Sequence, residues 1–384
     1  MMQEIFERTA ALQRENNWQG VLQILQPLCR EGQPGWNEPR ALSELGFACS
    51  QLQMLEEAKQ CYQRWIEVEP DRARPFYCLG YVFYLEQDWA SALRWFDQAL
   101  RVYPDYLVCL YRKGYALFAF QKPRKCLEPL ERALELYRAN SNEDFRKRNA
   151  KTAMKTLFLL ARARYRSDDF EEALRLLQQL FREDLKGFIA PADKQYALGK
   201  TLAALRREKE ALEQLNRALD PRRPQPYVLD QIGRVQHQLQ DYPAALGYYD
   251  RALKIRRAPY ILFNRAMSLL ALGKTGPAVR DLHEALKRDR LGKHKIYLEL
   301  GKISLEQHKP AEARHYFESA IRFKQETYGV DYAEAHYALA LYHLKSGDKP
   351  RAREELQTAL EISPNLHWDE NLRRLLGMEM PVEC

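Results

Sequence analysis

Apolar residues recur along this chain at i, i+3, i+4 and i+7, the period of one helix face. Short polar breaks interrupt them at Gln87-Asp88, Ser167-Asp168-Asp169, Gln240-Asp241 and Ser346-Gly347-Asp348. The pattern predicts helices of about a dozen residues joined in pairs by tight turns. Pro70, Pro104 and Pro364 follow the second helix of their pairs and stop it, because proline cannot continue a helix.

The pairs repeat. From Phe76 onward the chain places Leu79-Gly80, Phe83, Ala92, Phe96, Ala99 and Pro104. A shift of 34 residues towards the N-terminus finds Leu42, Leu45-Gly46, Cys49, Ala58, Tyr62 and Pro70 in the same places. The same shift forward finds Leu110, Gly114, Leu117, Leu130 and Ala133, with Cys126 in place of Ala92. Later copies run through Leu198-Gly199 and Ala211, Ile232-Gly233 and Ala245, Leu262 and Ala278, Leu300-Gly301 and Ala313, and Leu339-Ala340 and Ala352. Looser copies carry Leu160-Ala161 with Ala173, and Trp18 with Val21 at the start of the chain. Gly80 and Ala92 fall where two helices approach closely, and a large side chain there would overpack the contact at about 1–3 kcal/mol.

These residues resemble the tetratricopeptide repeat (TPR) motif, and the resemblance spans nearly the whole chain. It implies an all-α fold: a right-handed α-α superhelix, or solenoid, of about ten helix-turn-helix repeats, near-continuous from residue 2 to 366. A repeat array needs a cap on its last apolar face, and residues 367–384 are expected to supply a capping helix and tail. Two spacings depart from the period: Cys126 to Ala173 is 47 residues and Ala313 to Ala352 is 39. Ser141 with Asp144 reads as a capping box that starts the next helix early, which sets off 139–155 as an extended helix between repeats 1–138, the first degenerate, and 156–366. The longer stretch at Lys324–Asp348 resembles the long repeats of kinesin light chains, whose first helix has an extended lead-in. Asp184–Ala192 reads as a short loop.

Composition changes this picture little. Hydrophobic residues make up 46% of the 384 and charged residues 29%, which suits a packed and well-solvated chain rather than a disordered one. The formal charge of +8 permits acidic partners without requiring nucleic acid. Seven cysteines, an odd count without a CxxC pair, fit neither a disulfide framework nor a zinc site. The expected compartment is the reducing cytoplasm, since no secretory leader or membrane span is legible.

No nucleophile elbow, zinc-protease helix, P-loop or dinucleotide fingerprint occurs, so no enzyme, cofactor or metal is expected. His336 and His343 lie seven apart and, with His367, are the nearest approach to a metal set. Binding is the better-supported chemistry. In the TPR family the first helix of each repeat lines the concave groove, at roughly its fifth, ninth and twelfth places. Starting the repeats at residues 39, 73 and 107, those places hold Tyr77, Tyr81 and Tyr84, then Tyr111, Tyr115 and Phe118, with Phe47 preceding them and Arg112 beside Tyr111. Tyrosine and arginine dominate interface hot spots, so this lane is the expected partner site for a peptide or domain. The carboxylate clamp of chaperone-binding TPR proteins is incomplete here, because Tyr77, Tyr81, Asp230 and Arg234 stand where Lys and Asn are wanted.

Two other readings remain open at this point. An RNA-associated solenoid would use the basic runs at Arg146–Arg148, Arg222-Arg223, Lys254–Arg257 and Lys287–Lys295. A structural or regulatory subunit would engage its partners by the convex face or the ends, with Cys384 and Leu375–Met380 as contacts.

Overall fold

The computed structural model describes residues 2–364 and Gly377. Every regular element among the described residues is helical, and the twenty helices form ten consecutive pairs. The first five pairs are α1 (Met2–Arg14) with α2 (Trp18–Leu28), α3 (Pro39–Gln51) with α4 (Leu55–Val68), α5 (Ala73–Leu85) with α6 (Trp89–Val102), α7 (Leu107–Ala119) with α8 (Leu127–Ala139), and α9 (Glu143–Arg166) with α10 (Phe170–Glu183). Then come α11 (Pro191–Ala204) with α12 (Glu208–Ala218), α13 (Pro226–Gln238) with α14 (Tyr242–Ile255), α15 (Pro259–Ala271) with α16 (Thr275–Arg288), α17 (Lys293–Glu306) with α18 (Pro310–Tyr328), and α19 (Ala333–Lys345) with α20 (Lys349–Ile362). The chain divides into two compact units, Met1–Gln214 and Leu215–Cys384. No helix among the described residues is long and apolar enough to cross a membrane. The expected capping helix over 367–384 lies outside the described residues, as do His367, Cys384 and Leu375, Leu376 and Met378–Met380.

The turn within each pair has one construction. A single residue adopts a left-handed backbone: Asn16, Gln53, Gln87, Gln121, Asp168, Arg206, Gln240 and His308 at φ 57 to 63°, and Gly273 and Gly347 at 71 and 79°. In the α5–α6 turn the Gln87 amide donates to the Tyr84 carbonyl (3.1 Å) and the Asp88 amide to the Phe83 carbonyl (3.0 Å). That is the paired-bond stop that satisfies the last carbonyls of a helix. Asp88 then caps the next helix, its carboxylate accepting from the Ser91 amide at 3.1 Å. Asn17, Asp169, Asp241 and Asp348 do the same for α2, α10, α14 and α20. One short polar residue thus closes one helix and opens the next, which is why the breaks in the sequence are so brief.

Packing within a pair follows a second rule. A Cβ added to Gly80 would lie 2.8 Å from Phe96 Cδ1, and one added to Gly301 would lie 2.4 Å from Phe317 Cε1. Both phenylalanines are fully buried. Each ring sits sixteen residues after its glycine, and the same separation joins Gly46 to Tyr62, Gly114 to Leu130 and Gly233 to Tyr249. Where alanine takes the glycine's place, the partner is leucine: Ala161 and Leu177, Ala266 and Leu282, and Ala340 and Leu356 each share a core cluster. A ring is accepted only opposite glycine, whereas leucine packs opposite either glycine or alanine, so the contact sets an upper limit on the summed volume.

The irregular spacings have separate causes. The extra residues before Ala173 lengthen α9 to 24 residues. Its cap is Asn142, whose side chain accepts from the Phe145 amide at 2.8 Å, and not the expected Ser141. An asparagine at this place supplies the same acceptor one residue later. The start of α9 does not stand clear of its unit. Phe145 packs against the cluster of Leu107, Leu110 and Ala133, and the Arg146 guanidinium lies 5.6 Å from the Tyr137 ring centre. The second excess lengthens α18 to 19 residues and ends at Gly329 (φ 66°), so it extends the preceding second helix rather than providing a lead-in to α19. The 184–190 loop is held by a buried ion pair. The Asp184 carboxylate accepts from the amides of Phe188 (2.8 Å) and Ile189 (3.0 Å) and from Lys194 Nζ (3.0 Å).

The volume rule sets opposite signs for two Gly→Ala substitutions. Gly301→Ala is expected to cost about 1–3 kcal/mol by overpacking, measured by denaturant unfolding. Combining it with Phe317→Leu should cost less than the sum of the two single changes. Gly247, in the middle of α14 with nothing within 4 Å of an added Cβ, should instead gain about 0.5–1 kcal/mol as alanine.

Candidate functional site

Helices α5 and α7 stand one repeat apart, so Tyr77, Tyr81 and Tyr84 have Tyr111, Tyr115 and Phe118 as counterparts 34 residues on. Within each helix the three rings fall at i, i+4 and i+7 and share a face. The rings form a chain: Tyr77 to Tyr81 is 6.3 Å between centroids, Tyr81 to Tyr84 5.6 Å and Tyr84 to Tyr115 5.4 Å. The Arg112 guanidinium sits among them, 4.7 Å from the Tyr81 ring centre, 4.9 Å from Tyr84 and 5.6 Å from Tyr111. Cation–π contacts of this kind are worth more as water is excluded. Among the described residues Arg112 forms no ion pair, and its Nε is shielded from solvent without an acceptor.

The residues of the lane differ in what they offer. Tyr81, Tyr84 and Tyr115 are half-buried, whereas Tyr111 and Phe118 are buried at 8% exposure and serve as floor. Tyr77 is wedged against Tyr106 (5.1 Å) and Phe96 (5.9 Å). Phe47 is not brought to the lane; 43% exposed, it meets Trp18 edge-on at 5.2 Å.

Sequence reasoning missed the lane's extension onto α9. A cavity of about 270 Å³ opens between α7, α9 and the 184–190 loop, lined by Tyr111, Tyr115, Lys155, Phe158, Arg162 and Phe188, among others. Lys151, Lys155, Phe158 and Arg162 fall on one stripe of α9 by helical spacing. The only signal for them was the break in repeat period. Burial and the charges of Lys151 and Arg112 hold the Lys155 ammonium below the usual lysine value. Arg162 lies over the rings of Phe118 (5.1 Å) and Phe158 (5.7 Å).

Several polar groups outside the lane are tied up within the protein. Asn264 donates to the buried Asp230 carboxylate at 2.8 Å, so Asp230, which stands at one of the clamp places, is spent on a neighbouring repeat. Desolvation raises the Asp230 carboxyl to about 6. His336 lies between Glu355 (2.6 Å) and Asp331 (2.9 Å). In the basic runs, Lys147 pairs with Glu143 (2.8 Å), Arg257 with Glu284 (2.5 Å) and Arg288 with Glu284 (3.1 Å).

Models of the tetratricopeptide repeat match residues 51–106 and 158–226, 228–259, and 292–365, together more than half of the chain. No curated protein matches it. Among solved structures, the chain is similar to YrrB, a TPR protein with an unusual peptide-binding site, at 23% identity over 50% of this chain and 90% of that one (TM-score 0.40). It is similar to a tetratricopeptide repeat protein of Parabacteroides merdae at 12% identity over 71% and 98% (TM-score 0.48). It is similar also to the APC/C hetero-tetramer Cut9–Hcn1 at 16% over 96% and 82% (TM-score 0.49).

Desolvation lifts the hydroxyls of Tyr77 and Tyr84 from 10.0 to about 12, against the opposing pull of Arg112. A raised acid keeps its proton in the folded state while the unfolded chain loses it. Stability from these two groups is therefore full below pH 10 and lost as pH rises from about 10 to 12. Absorbance titration at 295 nm should show the two ionising late, and Tyr77→Phe with Tyr84→Phe should flatten the alkaline fall in melting temperature.

Proposed function

The chain belongs to the tetratricopeptide repeat family, and we propose that it is a non-enzymatic adaptor or scaffold that holds a peptide, or an extended segment of a partner protein, in the groove lined by α5 and α7. The observation that carries this reading is the lane of half-buried tyrosines around Arg112, a cation without a carboxylate of its own. Rings of limited rotamer freedom lose little entropy on binding, and a preformed helical surface lowers the cost of ordering on the protein's side. Recognition is the whole mechanism. The six described cysteines are free thiols, which supports the reducing cytoplasm as its place of work.

The basic runs stand apart along the chain, at 146–148, 222–223, 254–257 and 287–295, whereas an RNA track needs cations continued from repeat to repeat along its length. The test is selection of binding peptides from a random displayed library, followed by titration of the winners. Tyr81→Ala with Tyr115→Ala, both half-buried positions, should weaken binding by about 2 kcal/mol or more while leaving the melting curve near wild type. Peptides that bind the double variant as tightly as the wild type would place the interaction elsewhere on the chain.

A further inference from the structure

The cavity beside the lane has a chemistry of its own. Its walls are aromatic: Tyr111 and Tyr115 from α7, Phe158 from α9 and Phe188 from the loop. Its charged lining consists of Lys155, Arg162 and, on the α11 side, Asp193. None of these three forms an ion pair among the described residues, in a protein where basic residues are commonly answered by a carboxylate in the next turn or the next helix, as Lys113 is by Asp97 at 2.8 Å and Arg132 by Asp105 at 2.7 Å. Lys155 also feels the positive charges of Arg112 and Lys151. The surplus of cations converges on one open pocket and is not spread along successive repeats.

Lys155 and Arg162, with Lys151 and Arg112 nearby, outnumber the one lining carboxylate, Asp193; an excess of like charge is unfavourable to the fold that holds it, and an arriving anion lowers that cost. Arginine stacked on rings keeps its donors for a planar acceptor. Resting on the groove reading above, we propose that the cavity between α7, α9 and the 184–190 loop is an acidic subsite. It takes an Asp or Glu side chain of the bound peptide between Lys155 and Arg162, with an adjoining aromatic or aliphatic side chain against Tyr115 and Phe158. The size of the space suits one or two side chains and not a folded domain. A nucleic-acid strand is disfavoured, since the cations do not continue as a phosphate-tracking row. The rigid ion pair of Asp184 with Lys194 fixes the loop wall, so the subsite is preformed.

The test is calorimetric titration of the full chain at low salt with blocked nonapeptides in which Asp and Glu flank a central Phe. Their Asn/Gln counterparts, versions with phosphoserine in place of Glu, and a ten-nucleotide oligouridine are measured beside them. The acidic peptide is expected to bind about tenfold or more tighter than its amide counterpart. Lys155→Gln with Arg162→Gln should erase that difference without lowering the melting temperature, both side chains being at least partly exposed and the removed charges being mutually repulsive. Equal affinity for acid and amide peptides, with dependence on Tyr81 and Tyr115 kept, overturns the acidic subsite and leaves the groove reading standing. Loss of that tyrosine dependence for both peptides overturns the groove reading and the subsite together. A strong preference for the phosphoserine peptide or for oligouridine overturns the choice of a carboxylate ligand.

Discussion

Everything in this chain depends on two helices of a pair coming close enough to exclude water between them. The contact that permits it lies between a residue with almost no side chain and a large one sixteen residues later. Gly80 receives Phe96 and Gly301 receives Phe317 at distances that leave no space for a methyl group. Leucine replaces the ring where alanine replaces the glycine. Interiors packed like crystals do not admit a ring and a methyl group at one such contact, while leucine fits opposite glycine, as at Gly114, or alanine. The repeat is therefore better described by a limit on volume than by a conserved set of residues. That is how pairs of quite different sequence build one architecture.

The second constraint is the turn. Eight of the ten turns place a residue other than glycine in the left-handed region, at about 1–2 kcal/mol each. The cost is offset by two carbonyl-satisfying bonds and, in half of the turns, by an Asp or Asn cap on the following helix. A turn this short keeps the two helices antiparallel and in register. It brings residues on the same face of successive first helices side by side. Tyr84 of α5 and Tyr115 of α7 consequently meet at 5.4 Å although they belong to different repeats.

The fold was legible because it is periodic. The helix pairs, their polar breaks and the small residues at the close contacts can all be read by counting. The lane could be read the same way, and its Tyr77–Tyr81–Tyr84–Tyr115 chain and Arg112 do come together. Counting says nothing about depth, however, and Tyr111 and Phe118 share the helical register of the lane yet lie in its floor. Phe47 shares the register too, but its ring turns to Trp18. The cap of α9 was misread by one residue because serine and asparagine both make good caps, and only the backbone geometry chooses between them. The extra length near residue 325 went to α18 because Gly329 allows the left-handed stop that ends that helix.

The acidic subsite was the least legible part because it exists only where the period fails. Regular repeats place groove residues on the first helix of each pair, so a regular pattern points to α5 and α7 and stops there. The inserted length before Ala173 becomes the first turns of α9, and these turns pack against α8 through Phe145 instead of displacing the repeat. Lys151, Lys155, Phe158 and Arg162 then run along a face that continues past the tyrosines. A second irregularity, the 184–190 loop, supplies Phe188 and is fixed by the buried Asp184–Lys194 pair. Two departures from the repeat thus border one open pocket, and among the described residues Lys155 and Arg162 form no ion pair there. A repeat array makes a surface by repetition; it makes a site of particular chemistry where repetition is interrupted.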